Sequence, residues 1–481
     1  MRVHRLLAIP VVTCLVALAI PGAGAARVEP PRPHVNGIDS TAQDAASARA
    51  AVQGQDEHSP NARRLANIPR SSEFRFNDPA QGGNFQSDLA FKGNLAVAGN
   101  YNGFRVIDIK NPARPKVVRD VWCPGPQNDV SIWGDAIVLS VDTPLTGTGC
   151  TAGPAAAPFQ NAWEGLRIFS LKQILAAKPS SDGFTRVEPK GAVYTDCGSH
   201  THTGIPAGDK VLLYVASYPL RSGPTCGPRT SPTDPWDPLH KKISIVEMPL
   251  TNPAGARLLK YVPVNVPTWN LLPAPFNPMQ GCHDFQVYPA KKLAAAACSS
   301  VGQLWDISDP RNPRTLSYKW QVDQPQVEFY HSAAFTWDGK VVIFGDESIN
   351  QTCDDGSGSG RLYFHDAKTG RLLGTFNIPR KQGTYCSAHL FQVLKTARGY
   401  RLVASWYTGG VTVVDFTNPA KAKEIAYYDP ALLSATDEGL WSAYPYNGFV
   451  YSNGYERGFD SYLIGPAIRG ARFSTLNPQT Q

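Results

Sequence analysis

Histidine is the residue type whose positions in this chain point most directly to chemistry. Imidazole is a common ligand of zinc and copper, and three or four imidazoles around one point would suit either metal. Five of the nine histidines that follow residue 25 begin short runs of alternating apolar and polar residues. They are His200 and His202 in CGSHTHTG, His283 in CHDF, His331 in YHSA and His389 in CSAHLF.

An internal repeat supplies an architecture that could bring these runs together. Its clearest part is a glycine, an alternating apolar run and an acid, often followed by Asn-Pro and a second run. Two good copies are GFRVIDIKNPARPKVV from Gly103 and GVTVVDFTNPAKAKEI from Gly410. Seven copies align on the acid column at a mean spacing of about 59 residues. The aligned positions are Asp108, Ser170, Glu247, Asp306, His365, Asp415 and Leu463.

The residues around each copy predict the fold. Two further alternating runs joined by a hairpin-type turn precede each copy, so a unit reads strand, hairpin, strand, loop, strand, turn, strand. Seven such units predict an all-β fold, a seven-bladed β-propeller of four antiparallel strands per blade around a central channel. One sheet of this size cannot form a core alone, which argues against a string of separate β-sandwiches.

A propeller ring must also be closed by the two ends of the chain. Residues 62–70 share their Asn-Ile-Pro-Arg ending with residues 370–380, which form the outer strand of the fifth unit. We therefore predict that this N-terminal segment is the outer strand of the last blade. In the alternative, residues 470–474 supply that strand and the N-terminal segment only packs nearby.

The predicted fold places the histidines near one mouth of the channel, because the first strand of each blade lines the channel. We expect Asp129 and Asp284 beside the imidazoles, and Asp346 or Glu347 would be the base of an enzymatic site. Three interpretations stay open. The imidazoles bind copper or zinc, or form a metal-free acid/base site, or only bond channel water and neighbouring backbone.

The repeat also assigns the cysteines. Eight of them follow the leader, an even number that fits an oxidising compartment. The first strand of a blade starts on the face where its second strand ends, so cysteines at these two places can pair. The predicted disulfides are Cys123–Cys150, Cys197–Cys226 and Cys282–Cys298 within blades, and Cys353–Cys386 between blades five and six.

The first residues have the features of a secretory signal peptide. Two arginines, an apolar run and the small residues Ala-Gly-Ala occupy residues 1–25, which predicts a secreted, extracellular protein. Residues 26–60 contain no aromatic residue and predict a disordered leader. We assign residues 61–473 to the propeller and residues 474–481 to a tail.

The repeat resembles a known family pattern. The segment Val-Ile-Asp-Ile-Lys-Asn-Pro-Ala-Arg-Pro from Val106, with its copies, is similar to the LVIVD repeat of secreted bacterial proteins over roughly residues 60–470. This resemblance implies a β-propeller and no established reaction. The chain departs from the pattern at Ser170 and Leu463 and in the long insertions before units two and three.

Composition narrows the classes of function. A formal net charge of +7 in 481 residues is too weak and scattered to indicate nucleic-acid binding. No apolar run after the leader is long enough to span a membrane, and we expect a monomer.

One hypothesis is an extracellular binding or scaffolding module for an unknown protein, peptide or glycan, acting through one face and the insertions 143–163 and 218–241. The alternative is a copper- or zinc-dependent hydrolase or oxidase at the channel mouth.

Overall fold

A computed structural model describes most of the chain after the leader. Its described residues are 55–71, 74, 85–156, 161–196, 198–216, 242–264, 281–299, 301–316, 321–322, 327–347, 360–380, 387–397, 399–434, 437–465, 468 and 475–481. The strands of these segments form seven antiparallel sheets. The protein is therefore an all-β, seven-bladed β-propeller, as the repeat predicts.

The described chain opens with two short strands that belong to the last blades, β1 (Glu57–His58) and β2 (Ala62–Ile68). Blades one to three then follow in chain order. Their strands are β3 (Gln86–Lys92), β4 (Leu95–Asn100), β5 (Gly103–Asp108), β6 (Lys116–Trp122), β7 (Gln127–Trp133), β8 (Ala136–Leu145), β9 (Trp163–Ser170), β10 (Gly191–Tyr194), β11 (Thr201–Ala207), β12 (Lys210–Ala216), β13 (Lys242–Pro249) and β14 (Arg257–Pro263).

Blades four to seven repeat this arrangement. Their strands are β15 (Asp284–Tyr288), β16 (Leu293–Cys298), β17 (Val301–Asp306), β18 (Arg314–Thr315), β19 (Gln321–Val322), β20 (Tyr330–Phe335), β21 (Val341–Asp346), β22 (Leu362–Asp366), β23 (Leu372–Phe376), β24 (Ala388–Val393), β25 (Arg401–Trp406), β26 (Gly410–Asp415), β27 (Lys423–Asp429), β28 (Leu440–Tyr446), β29 (Phe449–Gly454) and β30 (Gly458–Ile464). In blade four, both β18 and β19 pair with β17.

The first strand of every blade is its innermost strand. Around the ring, each first strand contacts the first strand of the next blade, and β28 contacts β3 to complete the circle. The final strand, β31 (Thr475–Leu476), pairs with the free edge of β3 and therefore lies on its channel side. The beginnings of the seven inner strands thus surround one end of the channel.

The N-terminal segment closes the ring in the way the sequence predicts. Strand β2 pairs with β30 from Ala62 opposite Ile464 to Ile68 opposite Phe459, and so forms the outer strand of blade seven. Strand β1, which lies inside the predicted leader, adds to β27 of blade six. Asp56, just before β1, forms ion pairs with Arg64 on β2 and with Arg457 just before β30, at 3.0 and 3.2 Å. These ion pairs connect β1 to blade seven. Residues 470–474, the alternative closing strand, lie outside the described residues.

Apolar side chains fill the spaces between blades. At the junction of blades seven and one, the rings of Phe91 and Tyr446 stack with centroids 4.8 Å apart, and Tyr451 lies 5.4 Å from Phe91. All three side chains are fully buried or nearly so. This aromatic packing fills the junction between blades seven and one, where the two ends of the propeller meet.

The acid column of the repeat has a local structural role. In blades one, four and six its carboxylate accepts a hydrogen bond from the backbone N–H two residues later, and these acids are Asp108, Asp306 and Asp415. Each therefore fixes the Asx turn that leads from the third strand toward the fourth. In blade five the neighbouring Asp366 takes this role, where His365 occupies the column.

Blade two replaces the turn by a short helix. Ser170 ends β9 and accepts a hydrogen bond from the backbone N–H of Gln173 at 3.1 Å, which caps the helix α1 (Leu171–Ala176). This helix has six residues. Within the described segments, no helix has the length and apolar character needed to cross a membrane.

Two of the four predicted disulfides lie within the described residues, and both are formed. Cys123 is bonded to Cys150 in blade two, and Cys282 to Cys298 in blade four. In each pair one cysteine precedes a first strand and the other lies at or beyond the end of a second strand. The predicted pairs Cys197–Cys226 and Cys353–Cys386 lie outside the described residues.

Ring closure can be tested by deletion. Removing residues 56–68 should lower the melting temperature by about 5 °C or more, because β30 loses its partner strand and the side chains beneath become exposed. Removing residues 26–54 is the matched control and should change it by no more than about 1 °C. Differential scanning calorimetry measures both variants. Equal shifts would contradict the assignment of β2 as the closing strand.

Candidate functional site

Four of the five predicted histidines form a continuous row around one end of the channel. The ring centroids are 4.6 Å apart for His200 and His283, 3.7 Å for His283 and His331, and 4.4 Å for His331 and His389. The row crosses blades three to six, and each side chain in it is almost completely buried. We call these four residues the histidine row.

Hydrogen bonds from side-chain hydroxyls of one blade to main-chain carbonyls of the next fix the level of the histidine row. The hydroxyl of Thr201 donates to the backbone carbonyl of His283 at 2.7 Å, and Ser332 donates to the carbonyl of His389 at 2.7 Å. A hydroxyl side chain at the start of one inner strand therefore holds the histidine of the next blade. Because the strands begin together, their imidazoles come within contact distance.

Glu347 completes a compact group of possible metal ligands. One donor atom each from His283, His331 and Glu347 lies within 4.8 Å of the others, and all three residues are buried. The Oε2 atom of Glu347 is 3.6 Å from Nε2 of His331. The hydroxyl of Tyr407 donates to the other carboxylate oxygen, which orients Glu347 toward the histidine row. We call His283, His331 and Glu347 the ligand triad.

The two predicted catalytic carboxylates have different positions. Successive residues of a strand point to opposite sides, and Asp346 turns away from the triad. Its carboxylate accepts backbone N–H groups of Glu328, Phe329 and Gly360 at 2.8–3.0 Å. Burial raises the pKa of Asp346 to about 7 despite these bonds. Asp346 therefore holds the backbone, whereas Glu347 faces the histidines.

One ring nitrogen in the histidine row, Nε2 of His389, is buried without a hydrogen-bond partner among the described residues. The Nδ1 atom of His389 bonds the backbone carbonyl of Trp441. Since a carbonyl only accepts, this bond places the His389 proton on Nδ1 and leaves the Nε2 lone pair free. A backbone carbonyl often orients metal-binding histidines in this way.

Burial controls the charge of the site. It lowers the pKa of His283 and His331 well below the usual value, and the neighbouring histidines lower it further. It also lowers the pKa of His389 to about 3. The same desolvation raises the pKa of Glu347 to about 8, against the hydrogen bond from Tyr407. Near neutral pH the three imidazoles are therefore uncharged, the form that binds metal, whereas Glu347 must lose its proton to bind a cation.

The structure separates His202 from the histidine row. Its Nδ1 lies 2.8 Å from the hydroxyl of Ser140, and its Nε2 lies 2.6 Å from that of Ser131. Both serines belong to blade two, so His202 joins blades instead of facing the other imidazoles. His200, just before β11, enters the row, and its Nδ1 lies 2.7 Å from a carboxylate oxygen of Asp142.

Carboxylates surround the channel next to the histidine row. Burial and the charge of Asp129 raise the pKa of both Asp88 and Asp284 well above the ordinary value. The hydroxyl of Tyr444 donates to Asp88 at 3.2 Å. The predicted residues Asp129 and Asp284 thus do lie in the channel, and Asp88, which the repeat places at the same level, lies there as well.

Comparisons with known proteins leave the family open. No family model and no curated protein matches the sequence. Among solved structures, a chain of a mitotic checkpoint complex is similar, with a TM-score of 0.44 and 8% identity over 84% of this chain and 94% of that chain. Similarity at this level carries no argument about function.

The low pKa of His389 makes a prediction about stability. The pKa of His389 is about 3 in the folded protein, which is below the unfolded value. Its contribution to the free energy of unfolding is therefore complete above pH 6.5 and declines as the pH falls. The difference in unfolding free energy between the wild type and His389→Gln should therefore shrink by about 2 kcal/mol from pH 7 to pH 5. Urea unfolding with a metal chelator present measures it.

A pH-independent difference for His389→Gln would show that this imidazole is not desolvated in the folded protein.

Proposed function

We propose that this protein is a secreted β-propeller that binds zinc or copper at the histidine row, with His283, His331 and Glu347 as ligands. The observation that carries the proposal is the ligand triad, in which three buried donor atoms lie within 4.8 Å of one another. Two imidazoles and one carboxylate are a known ligand set of catalytic zinc sites. Copper also accepts imidazole ligands.

The energetics of burial support a cation at this position. Buried polar atoms without partners lose their bonds to water and gain nothing in return. Nε2 of His389 is such an atom, in the same row as the buried side chain of Glu347. A divalent ion would satisfy lone pairs on several of these groups at once.

The arrangement supports metal-assisted hydrolysis or oxidation. Three protein ligands leave a position open for water or substrate, and bound zinc makes such a water a nucleophile near neutral pH. We assign Glu347 to metal binding rather than to the role of base. His200, oriented by Asp142 and adjacent to His283, is the residue placed to accept a proton.

The second candidate function is an extracellular binding or scaffolding module. The propeller topology places the loops between second and third strands on the same face as the histidine row. The loop after β8 is held there by Arg167, whose guanidinium donates to the carbonyls of Thr148 and Gly149 at 2.8 and 2.9 Å. This face therefore combines an ordered loop with the channel entrance, which favours it as the surface for a protein, peptide or glycan.

Secretion belongs to the same proposal. The two disulfides within the described residues fit an oxidising compartment, and residues 1–25 have the features of a cleavable leader. The repeat supports membership of the LVIVD-type propellers, with residues 61–473 as most of the ring. Strand β1 at the end of the predicted leader 26–60 and strand β31 in the predicted tail 474–481 add to blades six and one.

Metal content tests the proposal. Each of His283→Ala, His331→Ala and Glu347→Gln should lower zinc or copper bound per chain by at least about ten-fold, since each removes one of three ligands. Elemental analysis after incubation with metal and dialysis measures the content. The propeller core does not need these side chains, so circular dichroism should show an unchanged fold.

Two matched variants separate metal binding from general disturbance of buried histidines. His202→Asn alters a buried histidine beside the row, and His365→Asn one in the third strand of blade five. Both should keep wild-type metal content. Wild-type protein that retains no metal would overturn the proposal, and the histidines would then be polar filling of the channel.

A further inference from the structure

The last described residues of the chain fill the end of the channel opposite to the histidine row. Leu476 and Thr475 pair with Phe91 and Lys92, the last two residues of β3. Beyond them, Asn477 and Gln479 are 5% and 6% exposed, so the segment is enclosed by the ring. We call residues 475–481 the channel segment.

The channel segment contacts the inner strands of four blades, mostly through their main chain. After β3 of blade one, it reaches Ile132 on β7, Gly204 on β11 and Val287 on β15. The N–H of Val287 donates to the carbonyl of Gln479 at 2.8 Å, and the N–H of Gln481 donates to the carbonyl of Val287 at 2.9 Å. These two bonds form a single parallel bridge between Thr480 and Val287, next to a turn at residues 477–480 in which Gln479 has a φ of +56°.

Asn477 provides the most specific contact. Its Oδ1 accepts the N–H of Ile132 at 2.6 Å, and its Nδ2 donates to the carbonyl of Ile132 at 2.7 Å. The side-chain amide therefore pairs with a buried backbone residue as a neighbouring strand would. A peptide lacking this amide would leave both groups of Ile132 without a partner, which is costly in a buried site.

Gln479 adds a second amide contact, near the C-terminal end of the channel segment. Its side chain hydrogen-bonds the carboxylate of Asp284, the residue next to His283. The backbone contacts thus select a peptide that turns at residues 477–480, while Asn477 and Gln479 select amide side chains two residues apart. The lining of the channel end matches a turned peptide with this spacing.

We propose that the inner strands of blades one to four form a peptide-binding site, and that the channel segment is its intramolecular ligand, separable from the ring. The site recognises a peptide that turns between amide side chains at the positions of Asn477 and Gln479. While it is filled, the channel segment occupies this end of the channel. This proposal does not depend on metal binding.

A deletion variant combined with a synthetic peptide tests it. The peptide Thr-Leu-Asn-Pro-Gln-Thr-Gln carries a fluorophore, and anisotropy measures its binding to protein lacking residues 475–481. We expect one peptide per chain, at least ten-fold weaker binding when alanine replaces the peptide asparagine, and none by a scrambled peptide. The full chain should not bind the peptide, because a tethered ligand has a high effective concentration.

A second variant decides the matter if the deletion prevents folding. In the full chain, Asn477→Ala should loosen the channel segment and permit binding of the labelled wild-type peptide. The control Asn312→Ala, which alters an exposed turn asparagine bonded to Asp309, should not. Absence of binding by the Asn477→Ala protein would then overturn the proposal.

Three results would overturn it directly. The first is a folded deletion variant that does not bind the peptide, and the second is equal binding of the scrambled peptide. The third is a full chain that is dimeric in light scattering and becomes monomeric on deletion, since the segment would then come from a second copy.

Discussion

The pairing of β2 with β30 is the interaction on which the rest of the structure depends. It joins residues near the two ends of the propeller by main-chain hydrogen bonds from Ala62 to Ile68. Once the ring is closed, the seven inner strands are held side by side with their beginnings at one end. Histidines that are far apart in the sequence then lie in contact. Without closure, no local element would keep the ligand triad together.

Much of the fold could be predicted because the repeat records blade geometry in local residue types. The acid column marks the end of the third strand, where Asp108, Asp306 and Asp415 bind the turn that follows. This requirement is local, so it recurs in the sequence with the period of the blade. The closing strand could be predicted for the same reason, since residues 62–70 keep the ending of an outer strand.

The site could be predicted only in part, because its details depend on contacts between blades. The same position in the repeat unit is occupied by His283, His331 and His389. That position sets their level in the channel. His200 and His202 lie at the same position of the repeat, and contacts with the neighbouring blade separate His202 from the row. These contacts come from Ser131, Ser140 and Asp129. Asp346 and Glu347 are likewise adjacent, and Tyr407 distinguishes them.

The channel segment left no pattern from which its position could be predicted. Its residues are mainly polar, and apolar periodicity gives no indication of burial. Asn477 is buried because its amide replaces a strand partner for Ile132. Such pairing depends on an exposed edge inside the ring, which exists only after the propeller forms. The two ends of the channel therefore differ in chemistry, with imidazoles and a carboxylate at one and a peptide at the other.

The most direct test of the central claim is X-ray absorption at the zinc edge of the zinc-loaded protein. Our account predicts one zinc per chain with nitrogen and oxygen ligands at about 2.0–2.1 Å. It also predicts outer-shell scattering from two imidazoles, of which one is lost in His283→Ala. A shell of oxygen atoms without imidazole scattering, or a spectrum unchanged by that substitution, would contradict the assignment of the ligand triad as a metal site.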